Sequence, residues 1–109
     1  MSASINGEAI TLTRGDSLIL HVDVTQNDEP YVPQGGDVIR FALKKNSNDQ
    51  EVLILKDIDL NSMQLIIDPE DTKNLAYGTY RYDIELTTAS GFVDTFIGPA
   101  NFKITEEVY

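Results

Sequence analysis

Between Leu75 and Leu86 the chain reads Leu-Ala-Tyr-Gly-Thr-Tyr-Arg-Tyr-Asp-Ile-Glu-Leu, its most strongly patterned stretch. Tyr80, Tyr82, Ile84 and Leu86 fall on one parity, and Thr79, Arg81, Asp83 and Glu85 fall on the other. A period of two is the signature of a strand with one buried and one wet face, so this stretch predicts a core strand of an antiparallel sheet. Gly78 stands where a residue free to take positive φ lets the chain turn sharply into the strand. Tyr77, Tyr80 and Tyr82 bring large apolar bodies whose hydroxyls need partners. A Tyr at the mouth of such a strand is where sandwich proteins place a tyrosine corner.

The rest of the chain can be arranged around this strand. Ala9 to Leu12 reads as a short strand after a loose polar lead, and Thr13-Arg14-Gly15-Asp16 as the turn out of it. Leu18, Leu20, Val22 and Val24 alternate with Ser17, Ile19, His21 and Asp23, which predicts a second strand with its even face inward. Residues 25–36 are rich in Asn, Asp, Pro, Gln and Gly and read as a loop. Val38 to Lys44 alternates again, with Ile39, Phe41 and Leu43 on one side. Lys45 to Gln50 is a polar turn, Val52 to Leu55 a short strand, Asp57 to Ser62 a link of turn formers, and Leu65 to Ile67 another strand.

Asp68, Pro69, Glu70 and Asp71 then give the clearest helix start in the chain: an N-cap, a proline at the first helical position, and two carboxylates at the positive end of the dipole. The helix is expected to last a turn or two, with Asn74 at its end and Leu75 dropping into the core. After the central strand, Thr87 to Gly91 makes a hairpin turn and Phe92 to Ile97 returns. Gly98-Pro99 is expected to break that strand before a last one, Phe102 to Thr105. Closely spaced short strands with turn signals between them are the rhythm of a β-sandwich.

At 109 residues the chain is expected to form one domain, 1–109, large enough to bury a real core. With no cysteine, disulfides, thiol catalysis and cysteine-bound metal are excluded. The N-terminus shows no basic region followed by an apolar one, and no apolar run approaches membrane-spanning length, so neither a secretory leader nor a membrane partner is expected. Eighteen acidic against eight basic side chains give a formal charge of -10. That field repels phosphate backbones and anionic lipid, which argues against nucleic-acid binding, and any partner surface should be basic or its binding weakened by salt.

Several constellations invite a chemical reading. Arg14-Gly15-Asp16 spells the tripeptide that integrins read, yet a strand-to-strand turn asks for glycine and polar neighbours on its own account. Asp57, Asp59, Asn61 and Asp68 fall at positions one, three, five and twelve of an EF-hand-like count. Ser62 stands where that loop needs glycine, the twelfth residue is not Glu, and the second half reads as a strand, so a solvated acidic turn fits better than a calcium site. His21 is the sole histidine, placed by parity on an outer face beside Asp23, and alone it supports neither a hydrolase triad nor a metal cluster. A pair of carboxylates could run a glycosidase, but so many acids make some pair inevitable, and there is no tryptophan to stack a sugar. Tyr77, Tyr80, Tyr82, Phe92, Phe96 and Phe102 are expected to form the core rather than a binding stripe. No catalytic residue, metal ligand, cofactor or small-molecule substrate is expected.

A set of motifs in combination carries a resemblance. They are Leu12-Thr13-Arg14-Gly15-Asp16 before an alternating strand, the run Gly36 to Lys45, Asp68-Pro69-Glu70-Asp71-Thr72 leading to Leu75, Tyr77-Gly78-Thr79-Tyr80-Arg81-Tyr82-Asp83-Ile84, and Phe102-Lys103-Ile104-Thr105-Glu106. From about Leu12 to Glu106 the chain resembles the small immunoglobulin-like proteins of phage and prophage structural modules. It is similar also to the N-terminal domain of phage baseplate upper proteins. The resemblance implies an immunoglobulin-like antiparallel β-sandwich of about seven strands with one short helical turn. It also implies a non-enzymatic tail or baseplate component, located in the virion, whose partners are other tail or baseplate proteins or itself. Baseplate upper proteins continue past this domain, whereas the sequence here ends after a short acidic tail; if it is a complete protein, a stand-alone piece of an assembly or an accessory protein is expected, without the anchoring role. A different class, a bacterial cell-surface or secreted adhesion or carbohydrate-binding module, fits the same composition. For docking, the expected edge strand is Phe102, Lys103, Ile104 and Thr105, since an exposed edge can pair with a neighbour.

Overall fold

Segments with one apolar face can hide it only against another such face, and here they do so as two sheets. The computed structural model describes residues 2–5, 9–23, 25–26 and 29–106. In chain order the elements are β1 (Ser2–Ile5), β2 (Ile10–Thr13), β3 (Leu18–Val22), β4 (Thr25–Gln26), β5 (Glu29–Pro30), β6 (Val38–Lys44), β7 (Ile54–Asp57), β8 (Gln64–Ile67), α1 (Pro69–Thr72), β9 (Gly78–Thr87) and β10 (Val93–Thr105). One sheet has the order β1-β3-β8 and the other β2-β10-β9-β6-β7, while β4 and β5 form a small hairpin. The architecture is the expected all-β sandwich with a single helical turn. It carries more strands than the periodicity announced: β4 and β5, of two residues each, are too short to leave a pattern, and β1 lies in the polar lead, where Ser2, Ala3 and Ser4 show no apolar alternation.

The stretch that organises the sequence also organises the fold. β9 pairs antiparallel with β6 on one side and β10 on the other, and Tyr80, Tyr82, Ile84 and Leu86 all point into the core. Opposite them, β3 and β8 contribute Leu20, Val22, Leu65 and Ile67. Phe41, Tyr82 and Phe102 meet at the centre with ring centroids 5.5, 6.0 and 6.3 Å apart. Burying each such ring contributes about 2–3 kcal/mol from removed apolar area, and tilted or offset contacts add to it. The expected tyrosine corner is present: Tyr80 Oη donates to the carbonyl of Ala76 at 2.6 Å. Gly78 enters the strand at φ +145, with the Lys45 ammonium directly over it.

The helix begins where expected. Asp68 is the N-cap and Pro69 the first helical residue, and the Asp71 carboxylate accepts the backbone N–H of Asp68 at 2.7 Å. Lys56 reaches across from β7 to Asp71 at 2.9 Å and Asp68 at 3.3 Å, and its pKa is raised, first by the Asp71 hydrogen bond. Leu75 packs half-buried against the core beneath the helix.

Other expectations need correction. The polar lead includes a strand, β1, which runs parallel to β3, and β2 runs parallel to β10, so the sandwich is not wholly antiparallel. Residues 25–36 contain the β4–β5 hairpin. The run Val52 to Leu55 is shifted to Ile54–Asp57, because pairing with β6 starts at Ile54 opposite Leu43, and both Val52 and Leu55 end up exposed. Asp57 therefore lies in the strand and not in the link. Gly98-Pro99 does not end a strand. It falls within the second of two register shifts in a bulged β10, between Ile97 and Ala100, where a proline without an N–H is tolerated. As a result Phe102 to Thr105 is not an edge: Phe102, Lys103, Ile104 and Thr105 are paired with β2 on one side, and Phe102, Lys103 and Ile104 with β9 on the other. Val24, expected on the inward face of the second strand, lies outside the described residues, as does the acidic tail from 107 to 109.

Candidate functional site

The aromatic residues divide. Tyr80, Tyr82 and Phe102 are core and Phe96 packs against it, but Phe92 is 62 % exposed and Tyr77 44 % exposed, contrary to the expectation that all six are interior. Phe92 is held outward by the turn that precedes it. Thr88 N–H donates to the Phe92 carbonyl at 2.9 Å, and the Phe92 N–H donates to Thr88 Oγ1 at 3.2 Å. Val32, 67 % exposed, stands on the loop between β5 and β6.

That loop is braced by hydrogen bonds of its own. Tyr31 Oη donates to Asp37 Oδ2 at 2.5 Å, the Gln34 N–H donates to the same oxygen at 2.8 Å, and Gln34 Nε2 donates to the Val32 carbonyl at 2.9 Å. Asp37 is buried, and its carboxylate pushes the Tyr31 phenol up to about 12, mainly through the hydrogen bond. The Tyr31 ring lies 5.0 Å from Phe96. Gly36, at φ +86, is packed on Ala89 of the other turn. The two turns thus form one platform at the end of the sandwich where β6 and β10 begin and β9 stops. Between them runs a groove of about 430 Å³ with Pro30, Tyr31, Val32 and Phe92 along it, Leu86 and Thr88 among its lining, and Glu29 as its one ionised side chain among the described residues.

At the opposite end, the Arg14-Gly15-Asp16 turn is drawn inward. Arg14 donates to Tyr77 Oη at 2.8 Å and to the Leu75 carbonyl at 3.3 Å, with its guanidinium 4.2 Å from the Tyr77 ring centre. Gly15 N–H donates to the buried Thr72 hydroxyl at 2.9 Å. The tripeptide is a structural turn that ties β2 to α1.

The acids of the calcium-like count also have separate partners. Asp57 pairs with Arg40 at 2.8 Å, Asp68 with Lys56, and Asp59 accepts the N–H groups of Ser62 and Asn61, which lower its pKa in that order. Among the described residues no group of three or more His, Asp or Glu is placed to hold a metal. His21 stands on the outer face with Nε2 3.3 Å from Asp23, as parity places it. A second, smaller pocket lies on the outer face of the large sheet, where Arg81 is fixed by Asn101 at 2.6 Å and by the Pro99 carbonyl at 3.1 Å. Among the described residues its one carboxylate is Asp83, whose pKa is raised by burial.

Sequence reading missed Val32 and misassigned Phe92. A lone large apolar residue amid turn formers, and an aromatic directly after Gly91, were the available signals.

The fold defines a small two-sheet β-sandwich with a groove at one end lined by both apolar and polar side chains. Among solved structures it is similar to the N-terminal domain of ORF48 of phage TP901-1, with a TM-score of 0.52 at 15 % identity, covering 97 % of this chain and 98 % of that one. No protein-family model matches the sequence, and no curated protein matches it. No helix among the described residues is long and apolar enough to cross a membrane.

Proposed function

We propose that the protein is a non-enzymatic structural component of a phage or prophage tail or baseplate, carried in the virion and acting through contacts with other tail or baseplate proteins. The observation that carries this reading is the end-to-end likeness to the N-terminal domain of a phage protein. The sequence motifs that resemble baseplate upper proteins point the same way. Physical support comes from the platform: large apolar groups held in water by rigid turns are what a protein contact buries. Burial of this kind requires no cofactor.

The test is deletion of the reading frame in the phage or prophage that encodes it, followed by electron microscopy and adsorption assays of the released particles. The reading expects heads of normal form with tails that lack baseplate mass or fail to adsorb. Particles of normal form and full infectivity would overturn it.

A further inference from the structure

We propose that the groove between the two end turns receives a partner protein segment that combines an apolar side chain with a neighbouring Lys or Arg. This rests on the reading of the protein as one that works through protein contacts, and it names the chemistry of that contact.

Shape comes first. Val32 and Phe92 stand on opposite turns, both largely exposed, with the groove between them. Its volume of about 430 Å³ is in the range that accommodates a few side chains. Contacts within the chain brace the walls: Asp37 holds Tyr31 and Gln34, Thr88 holds the Phe92 backbone, and Gly36 is packed on Ala89. Little conformational freedom remains to be lost on binding, which is the condition for a small apolar contact to contribute affinity.

Charge selects the occupant. Among the described residues Glu29 is the one ionised group on the groove, and none of the eight Lys and Arg side chains of the chain lines it. Several of them are committed elsewhere, Arg40 to Asp57, Lys56 to Asp71, Arg14 to Tyr77 and Arg81 to Asn101. The whole chain carries -10. A second copy would bring the same charge and a second Glu29 to the contact, so self-pairing here is opposed by like charge. A segment bearing Lys or Arg meets a favourable field, and the exposed ring of Phe92 offers the cation a face to lie on.

The experiment uses the full chain, immobilised and panned against a displayed random peptide library. Enriched peptides are expected to join an aromatic or aliphatic residue to Lys or Arg. A synthetic copy of one of them should lose about tenfold or more in affinity against Val32→Ser and Phe92→Ser, and should weaken as salt rises from about 0.05 to about 0.5 M. Both positions are exposed, and matching melting curves by circular dichroism verify that the variants are folded. Enrichment of acidic or uncharged peptides, no enrichment, or affinity untouched by both substitutions would overturn the proposal. So would sedimentation showing a dimer that Phe92→Ser dissolves. The tail reading is separable: particles that incorporate the Phe92→Ser protein normally count against the groove alone, whereas particles without the wild-type protein count against the tail role alone.

Discussion

Gly36 and Ala89 are in direct contact across the two end turns: a Cβ built on Gly36, at φ +86, would stand 2.6 Å from the Ala89 Cβ. Real Cβ atoms do not approach so closely, so the contact exists only because position 36 has no side chain. Gly36→Ala combines that overlap with a strained backbone and is expected to destabilise the protein by about 1–3 kcal/mol in urea unfolding. Gly35→Ala, with nothing within 4 Å of its Cβ, serves as the control. Equal stability of the two variants would mean that the turns are not packed as described.

Tyr31 and Asp37 make a pH-dependent prediction. The folded phenol is raised from 10.0 to about 12, so its stabilising contribution is complete below about pH 10 and is lost as pH rises through 12. Tyr31→Phe should lower stability at neutral pH by about 1–3 kcal/mol, the range for a hydrogen bond to a charged group. The gap between wild type and variant should close above the folded pKa. A gap that persists undiminished in strong alkali would contradict the assignment.

Asp71 serves two elements at once, accepting Asp68 N–H and receiving Lys56. Asp71→Ala should cost about 1–2 kcal/mol as a lost cap and partner. It should also bring the Lys56 pKa back down toward 10.5, measurable by NMR titration of the side chain. Because the folded pKa of Lys56 is raised, its contribution is present below the ordinary value and disappears in alkali. An unchanged Lys56 titration in the variant would remove Asp71 as the chief cause.

Tyr80→Phe keeps the buried ring and deletes the bond to Ala76. A loss of about 1 kcal/mol is expected for one hydrogen bond whose carbonyl can reach water. A neutral result would show that the corner contributes geometry without stability.

Much of the fold is written in local periodicity. The core face of β9 and of β6, the cap at Asp68, the corner at Tyr80 and the outward placement of His21 all follow from parity or from a short signal, and all are found. What failed were matters of pairing, which no single segment encodes. Phe102 to Thr105 reads as a last short strand, and only the partners on both flanks reveal that it lies inside the sheet. Gly98-Pro99 carries a breaker signal, yet a bulge absorbs it and pairing with β9 resumes at Ala100 in a shifted register. Val52 and Leu55 are apolar, but the register with Leu43 turns only Ile54 inward. The platform was least legible of all. Phe92 has the composition of core and the position of a turn flank, and its exposure is decided by Thr88 and by a neighbouring loop more than fifty residues earlier in the chain.

The central claim is that this protein is built into phage particles, and its presence there at a fixed ratio is the most direct measurement. Prophage induced in the encoding strain, particles purified on a density gradient, and quantitative mass spectrometry of the peak fractions supply it. The account predicts the protein in intact particles at a constant ratio to the tail proteins across independent preparations. Its absence from intact particles, with the protein recovered in the soluble or cell-surface fraction, would contradict the account and favour an adhesion or accessory role.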